Sequence, residues 1–190
     1  MPNKQMKLDS TARTGDAAEI AIRLRNISQL FSAFDPSPFL EKDIDGEVED
    51  FIVGWVRELP RHAPFRIAVH LPPEETKRPE AKDIDEALAH YFRYRADITE
   101  RELRELFRMG RSALAIGAAV LCACLVASQL VPRFIANATL ARIIEESLIL
   151  VGWVANWRPI EIYLYDWWPI RRRAQLYRRI AAAPVVVKAV

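Results

Sequence analysis

A chain of 190 residues with 27 basic and 25 acidic side chains carries a formal net charge of +2 and only two cysteines. That excludes a disulfide-built scaffold and gives no support to a strongly basic nucleic-acid binder. The mean hydropathy of -0.03 would suit an ordinary soluble protein, but the average conceals a division. Acidic residues lie mostly before Ser112 and apolar ones are concentrated after it, so a polar N-terminal domain followed by a membrane part is expected.

The opening MPNKQMKLDS has no apolar core. No cleaved signal peptide is therefore expected, and the N-terminal domain is expected to stay in the cytosol. Residues up to about Asp16 are polar and are expected to fray. From Glu19 to Arg25 (EIAIRLR) Ile20, Ile22 and Leu24 alternate with charged or small residues, the period of a half-buried strand. The segment NISQLFSAFDPSPF follows, where Pro36 and Pro38 enforce extended or turn geometry. Phe31, Phe34 and Phe39 can anchor that connection, capping the core or docking a partner.

From Asp45 the period changes to that of a helix, with Val48, Phe51, Ile52, Trp55, Val56 and Leu59 at spacings of three and four. Asp45 or Asp43 serves as cap and Pro60 as stop. Phe65 to Leu71 alternates again, with Arg66 and His70 opposite the apolar set, and predicts a second strand. Strand, helix, strand over so short a stretch reads as a βαβ unit with parallel strands. Two strands do not make a stable sheet, so a further edge must come from the C-terminal PVVVKAV, from a second protomer or from neighbouring helices. Residues 72 to 82 read as a solvated loop. Ile84, Ala87, Leu88, Tyr91 and Phe92 form another three-four stripe, suited to covering the sheet.

Thr99 and Glu102 have capping-box spacing, and Ile98 can staple onto Leu103, so a new helix is expected to begin at Thr99. Its first turns carry Arg101, Arg104, Arg108 and Arg111, with Glu100, Glu102 and Glu105 near enough to pair. From Ser112 to Val131 there is no charge. As a helix this run is roughly 30 Å long, the thickness of a bilayer's hydrocarbon core. Pro132 is expected to end it, with Asn137 or Thr139 capping a second helix from about Leu140 to Trp157. That second span must accept Glu145 and Glu146 near one end, or else slide past Pro159 to Trp168; the first register is preferred. A kink at Arg158-Pro159 would mark the water boundary, with Trp157, Tyr163, Tyr165, Trp167 and Trp168 as an interfacial aromatic belt. The tail then supplies Arg171, Arg172, Arg173, Arg178 and Arg179, while the loop between spans carries only Arg133 and Arg142. By the positive-inside rule both termini are cytosolic.

The organisation expected is therefore a polar terminus (1–16), a cytosolic α/β domain (17–98), a transmembrane hairpin (99–157, with spans at 112–131 and 140–157) and an interfacial basic tail (158–190). The fold class is α+β, mostly helical: a small βαβα module, a two-helix hairpin and a basic amphipathic C-terminal helix.

Chemistry is sparse. The acidic run Glu41 to Glu49 mimics the oxygen spacing of a calcium loop, with Gly46 at its sixth position, but Ile52 stands where a bidentate glutamate is needed; a helix-capping turn is the reading. His62, His70 and His90 lack the spacing of a zinc site. No phosphate-loop, dinucleotide, nucleophile-elbow or zincin pattern occurs, so no catalytic residue, metal or cofactor is assigned. Cys122 and Cys124 point in different directions on a helix, which suits packing or lipid contact. Arg142, Glu145 and Glu146 form a candidate intramembrane polar cluster, either a local ion pair at the outer surface or an ion-handling site. Ala119, Ala123 and Ala127, near Gly117 and Ser128, permit close helix approach to the second span or to another protomer. Arg104, Arg108, Arg111, Arg171, Arg172 and Arg173 are candidate contacts for anionic lipid headgroups, and Trp157, Trp167 and Trp168 are interfacial anchors. Nucleic acid is not an expected partner.

The stretches DPSPF (35–39), GWVRELP (54–60) and GWVANWRPIEIYLYDWWPIRRR (152–173) resemble a family of uncharacterised bacterial two-span inner-membrane proteins. The resemblance covers most of the chain and implies topology alone. The resulting expectation is a membrane-anchored scaffold, assembly or signalling module acting through a protein partner. The alternative is an oligomeric channel or transporter subunit.

Overall fold

The computed structural model describes residues 18–32, 38–39, 42–60 and 62–190. The polar N-terminus, Phe34, most of the DPSPF motif and Glu41 lie outside the described residues. The chain divides into two compact units, one formed by residues 1–98 with 173–190 and the other by residues 99–172.

In the first unit, strands β1 (Ala18–Arg23), β2 (Phe65–Leu71) and β3 (Val185–Ala189) form a parallel sheet in that spatial order. The expected βαβ unit is present, with α1 (Gly46–Glu58) between β1 and β2. The missing edge is supplied by the C-terminal valines. In-register rows Ile20–Ile67–Val185 and Ile22–Val69–Val187 point into the core. The opposite parity places Glu19 beside Arg66 and sets Arg23, His70 and Lys188 in one row. Helix α1 starts where the side chain of Asp45 accepts the Glu47 amide at 3.1 Å, and it buries Val48, Ile52 and Val56. Leu59 is extended ahead of Pro60, as a residue before proline prefers. The expected loop at 72–82 contains two short 3-10 turns, Glu75–Lys77 and Pro79–Lys82.

Helix α2 runs unbroken from Ile84 to Phe134, 51 residues. This corrects the expected start at Thr99. Thr99 is inside the helix and only 4 % exposed. A capping box operates where amides have no carbonyl one turn back. Here residues 95 to 98 are already helical and supply those carbonyls, and no glycine or proline stands between Ile84 and Met109 to break the run. A second correction concerns Pro132, which lies within the last turn of α2 rather than ending it. Proline removes one amide and crowds the carbonyl four residues back, and the helix continues only two residues further. Asn137 then caps α3 (Ala138–Ala155), its Oδ1 accepting the amides of Thr139 and Leu140.

The chain returns through α3, α4 (Trp157–Glu161), a π turn at Ile162–Asp166, and α5 (Trp167–Ala181). The expected kink at Arg158-Pro159 falls earlier, at Asn156. Pro159 cannot donate to the carbonyl of Ala155, so α3 ends there, and Pro159 sits in the first turn of α4 where its missing amide costs little. The described fold is thus α+β and mostly helical, with a small parallel sheet and one long apolar helix.

Candidate functional site

In the second unit α2 and the returning helices meet along glycines. A Cβ on Gly117 would stand 2.8 Å from Asn156 Oδ1 and 2.9 Å from the carbonyl oxygen of Ala155. One on Gly152 would stand 2.7 Å from Leu121 Cδ1, and one on Gly110 2.9 Å from Ile162 Cγ2. The bare backbones let Asn156 Nδ2 donate to two carbonyls at once, that of Gly117 at 3.1 Å and that of Gly152 at 3.0 Å. One side-chain amide therefore links two helices through their main-chain oxygens. Sequence reasoning passed over Asn156, although an asparagine inside VGWVANW was a visible signal.

The alanine ladder does not make this contact. Ala119 and Ala123 are exposed, while Gly117, Leu121 and Cys124 occupy the seam. The ladder is one step around α2 from the face that the glycines allow to close. Cys124 is buried and Cys122 exposed.

Away from the seam the apolar surface is open. In the most apolar window of α2 only 11 % is buried, and Ile116 and Val126 are more than half exposed, as are Leu150 and Val154 on α3. By length and composition α2 is long and apolar enough to cross a membrane. Helix α3 has 18 residues, three of them charged: Arg142, Glu145 and Glu146. Arg142 Nε and Glu146 Oε1 are 3.3 Å apart on side chains 80 % and 66 % exposed. They form a one-turn ion pair on an open surface, with no enclosing wall of polar groups among the described residues.

The predicted interfacial residues lie around the π turn. Trp157 donates to Glu161 at 3.2 Å. Arg158 holds both Glu161 and Asp166 at 3.1 Å. Trp167 donates to the carbonyl of Tyr163 at 2.9 Å, and Phe107 packs on the rings of Tyr163 and Trp167. The Arg171 guanidinium lies over Trp167 at 5.7 Å and that of Arg172 over Trp168 at 3.9 Å. Arg104, Arg108 and Arg111 are exposed on α2, and Arg173 is exposed at the edge of the first unit.

Two acids of the first unit, Glu49 and Glu19, hold internal networks. Glu49, the last residue of the calcium-like run, accepts from Tyr91 Oη at 2.6 Å, Arg95 Nη2 at 2.9 Å and Tyr177 Oη at 3.0 Å, so one carboxylate joins α1 to α2 and α5. Burial, reinforced by the carboxylate, pushes the hydroxyls of Tyr91 and Tyr177 above their ordinary range. Tyr91 and Arg95 are one turn apart on α2, which was readable; their convergence on Glu49 was not. Glu19 is 6 % exposed and is held by Lys188 Nζ at 2.6 Å and Arg66 Nε at 2.7 Å. The Lys188 hydrogen bond draws its carboxyl below the usual range against the opposing effect of burial. His70 is lowered by desolvation and then by Lys188 and Arg23, and its buried Nδ1 has no partner among the described residues. A cavity of about 160 Å³ lies beside the edge-packed rings of Phe31 and Phe39, with Ile27, Lys42 and Arg78 on its walls. Among the described residues no group of three histidine, cysteine or acidic side chains could hold a metal.

Comparison with protein-family models, with curated proteins and with solved structures yields no match.

Proposed function

We propose that the chain is an integral protein of the bacterial inner membrane whose helical hairpin carries a small cytosolic α/β unit, and that this unit works in scaffolding, assembly or signalling through a protein partner. The observation that carries the membrane reading is the open apolar surface of α2, with 11 % of its most apolar window buried. A soluble helix of that composition would hide its side chains, whereas lipid makes their exposure favourable. The 51 residues of α2 span roughly 76 Å, well over twice the hydrocarbon thickness, so its charged first half stands in water. Helix α3 crosses back with Arg142 and Glu146 paired at the outer boundary, and the tail arginines keep both termini inside. The partner reading is supported by the use the first unit makes of the buried Glu19 and the half-buried Glu49, which hold strands and helices together and leave the unit its surface to act with. The transport reading draws nothing from the Arg142–Glu146 pair, which is local and exposed.

Single cysteines in a background with Cys122 and Cys124 replaced test the topology. Ala136→Cys, between α2 and α3, should react with a membrane-impermeant maleimide in intact cells, and Gly54→Cys only after permeabilisation. The opposite pattern overturns the orientation. Intact-complex mass measurement in native lipid then tests the role: a foreign protein at fixed stoichiometry supports a scaffold, and a pure homo-oligomer that conducts ions refutes it.

A further inference from the structure

We propose that the start of α5 binds the headgroup of an anionic phospholipid, with Arg171 and Arg172 donating to its phosphate and Trp167 and Trp168 as the platforms that hold them. The proposal rests on the membrane reading above and identifies a partner for one part of the surface.

Each arginine stands one helical turn after its tryptophan, and each guanidinium lies over that ring, at 5.7 Å for Arg171 and 3.9 Å for Arg172. A stacked guanidinium keeps the donors in its own plane free to take two phosphate oxygens, and it has already lost much of the side-chain freedom that binding would cost. The platform is itself fixed. Trp167 is tied to the Tyr163 carbonyl at 2.9 Å and packed against Phe107, and Trp168 meets it edge-on with centroids 6.4 Å apart.

Charge in the second unit is sorted in favour of these two residues. Arg142 and Arg158 are occupied by Glu146 and by Glu161 with Asp166. Arg104, Arg108 and Arg111 share their turns with Glu100, Glu102 and Glu105. From Trp167 onward the sequence has no acidic residue, and among the described residues neither Arg171 nor Arg172 has a carboxylate partner. Leu164, Tyr165 and Trp168 leave about half or more of their surface open immediately beside the two cations. A soluble phosphate would have no use for that apolar margin, whereas the upper acyl chain of a lipid would cover it, with tryptophan at the depth it favours.

The test is native mass spectrometry of the full-length chain released from nanodiscs of equal phosphatidylcholine and phosphatidylglycerol. The wild type should retain phosphatidylglycerol preferentially, and R171Q/R172Q should lose roughly five-fold of that preference for each cation removed. R104Q/R108Q should keep most of it, and W168L should fall between. Equal retention of both lipids by the wild type, or an equal loss in R104Q/R108Q, overturns the proposal. So does displacement of the lipid by excess glycerol phosphate, which would mean a small-anion site. If the wild type never enters the nanodisc, the membrane reading fails and this inference falls with it. Normal insertion without lipid preference sinks the inference alone. Circular dichroism of each variant in the disc separates misfolding from lost binding.

Discussion

Gly117→Ala and Gly54→Ala are the same chemical change with opposite expected signs. At Gly54, in the middle of α1, an added Cβ meets nothing within 4 Å. Only the helix-propensity gain of about 1 kcal/mol should be felt, so the first unit becomes more stable. At Gly117 the added Cβ lies 2.8 Å from Asn156 Oδ1 and 2.9 Å from the Ala155 carbonyl oxygen, against about 3.3 Å or more for tolerated carbon–oxygen contacts. The Asn156 side chain can rotate away, at the loss of its bond to the Gly117 carbonyl. The Ala155 oxygen is backbone and moves only if the helices part. Overpacking of this kind costs about 1–3 kcal/mol, and an interhelical hydrogen bond in lipid contributes about 0.6–1.7 kcal/mol. After subtracting the propensity gain, a net loss of about 0.6–3.7 kcal/mol remains. The assay is reversible unfolding in mixed micelles, followed by the near-ultraviolet signal of the tryptophans for the hairpin and by proteolysis for the α/β unit. If Gly117→Ala is neutral or stabilising while Gly54→Ala stabilises, the helices do not approach at Gly117 and the account of the seam is wrong.

Glu49→Ala should destabilise the α/β unit by about 2–4 kcal/mol, since it removes the acceptor shared by Arg95 and two tyrosine hydroxyls; a shift under about 0.5 kcal/mol in chemical denaturation would refute the network. Tyr177→Phe should cost about 1–2 kcal/mol by the same measurement. Asn156→Ala should weaken the hairpin by about 1 kcal/mol without altering the α/β unit, read by the two probes already named. Acid should destabilise the α/β unit in two stages. His70 has its folded pKa depressed, so the unfolded chain takes up its proton first and stability begins to fall as pH drops below about 6.5. Glu19 is also depressed, and its contribution, present above about 4.3, is lost as pH falls further towards its folded value. Denaturation midpoints measured from pH 8 to pH 3 should lose the first stage in His70→Gln and the second in Glu19→Gln; persistence of either would refute that assignment.

Elements whose information is local were readable from the sequence. The alternation in FRIAVHL, the Asp45 and Asn137 caps and the charge-free run from Ser112 each depend on neighbours a few residues away. The Thr99 motif misled because a capping box is meaningful only at a helix start, and whether the preceding turn is helical depends on Tyr91 and Phe92 packing into the core. Pro132 misled in the other direction, because proline near a helix end removes a single bond and the last turn can absorb it. The Glu49 cluster joins residues 42 to 128 positions apart, and no short-range pattern announces such a meeting. The seam was half visible: small residues on α2 were noticed, but the alanines were favoured over the glycines because spacing alone does not say which face turns toward the partner.

The third strand has a consequence for how the protein is made. Strand β3 follows both arms of the hairpin in the chain, yet its strand partner among the described residues is β2, which precedes them. A nascent α/β unit therefore holds β2 with one flank unsatisfied while the residues of α2 to α5 are being synthesised, and can seal it only when the valines arrive. During that interval the bare flank is open to chaperones or to a neighbour's valines, so the order of synthesis, and not only final stability, selects among assemblies.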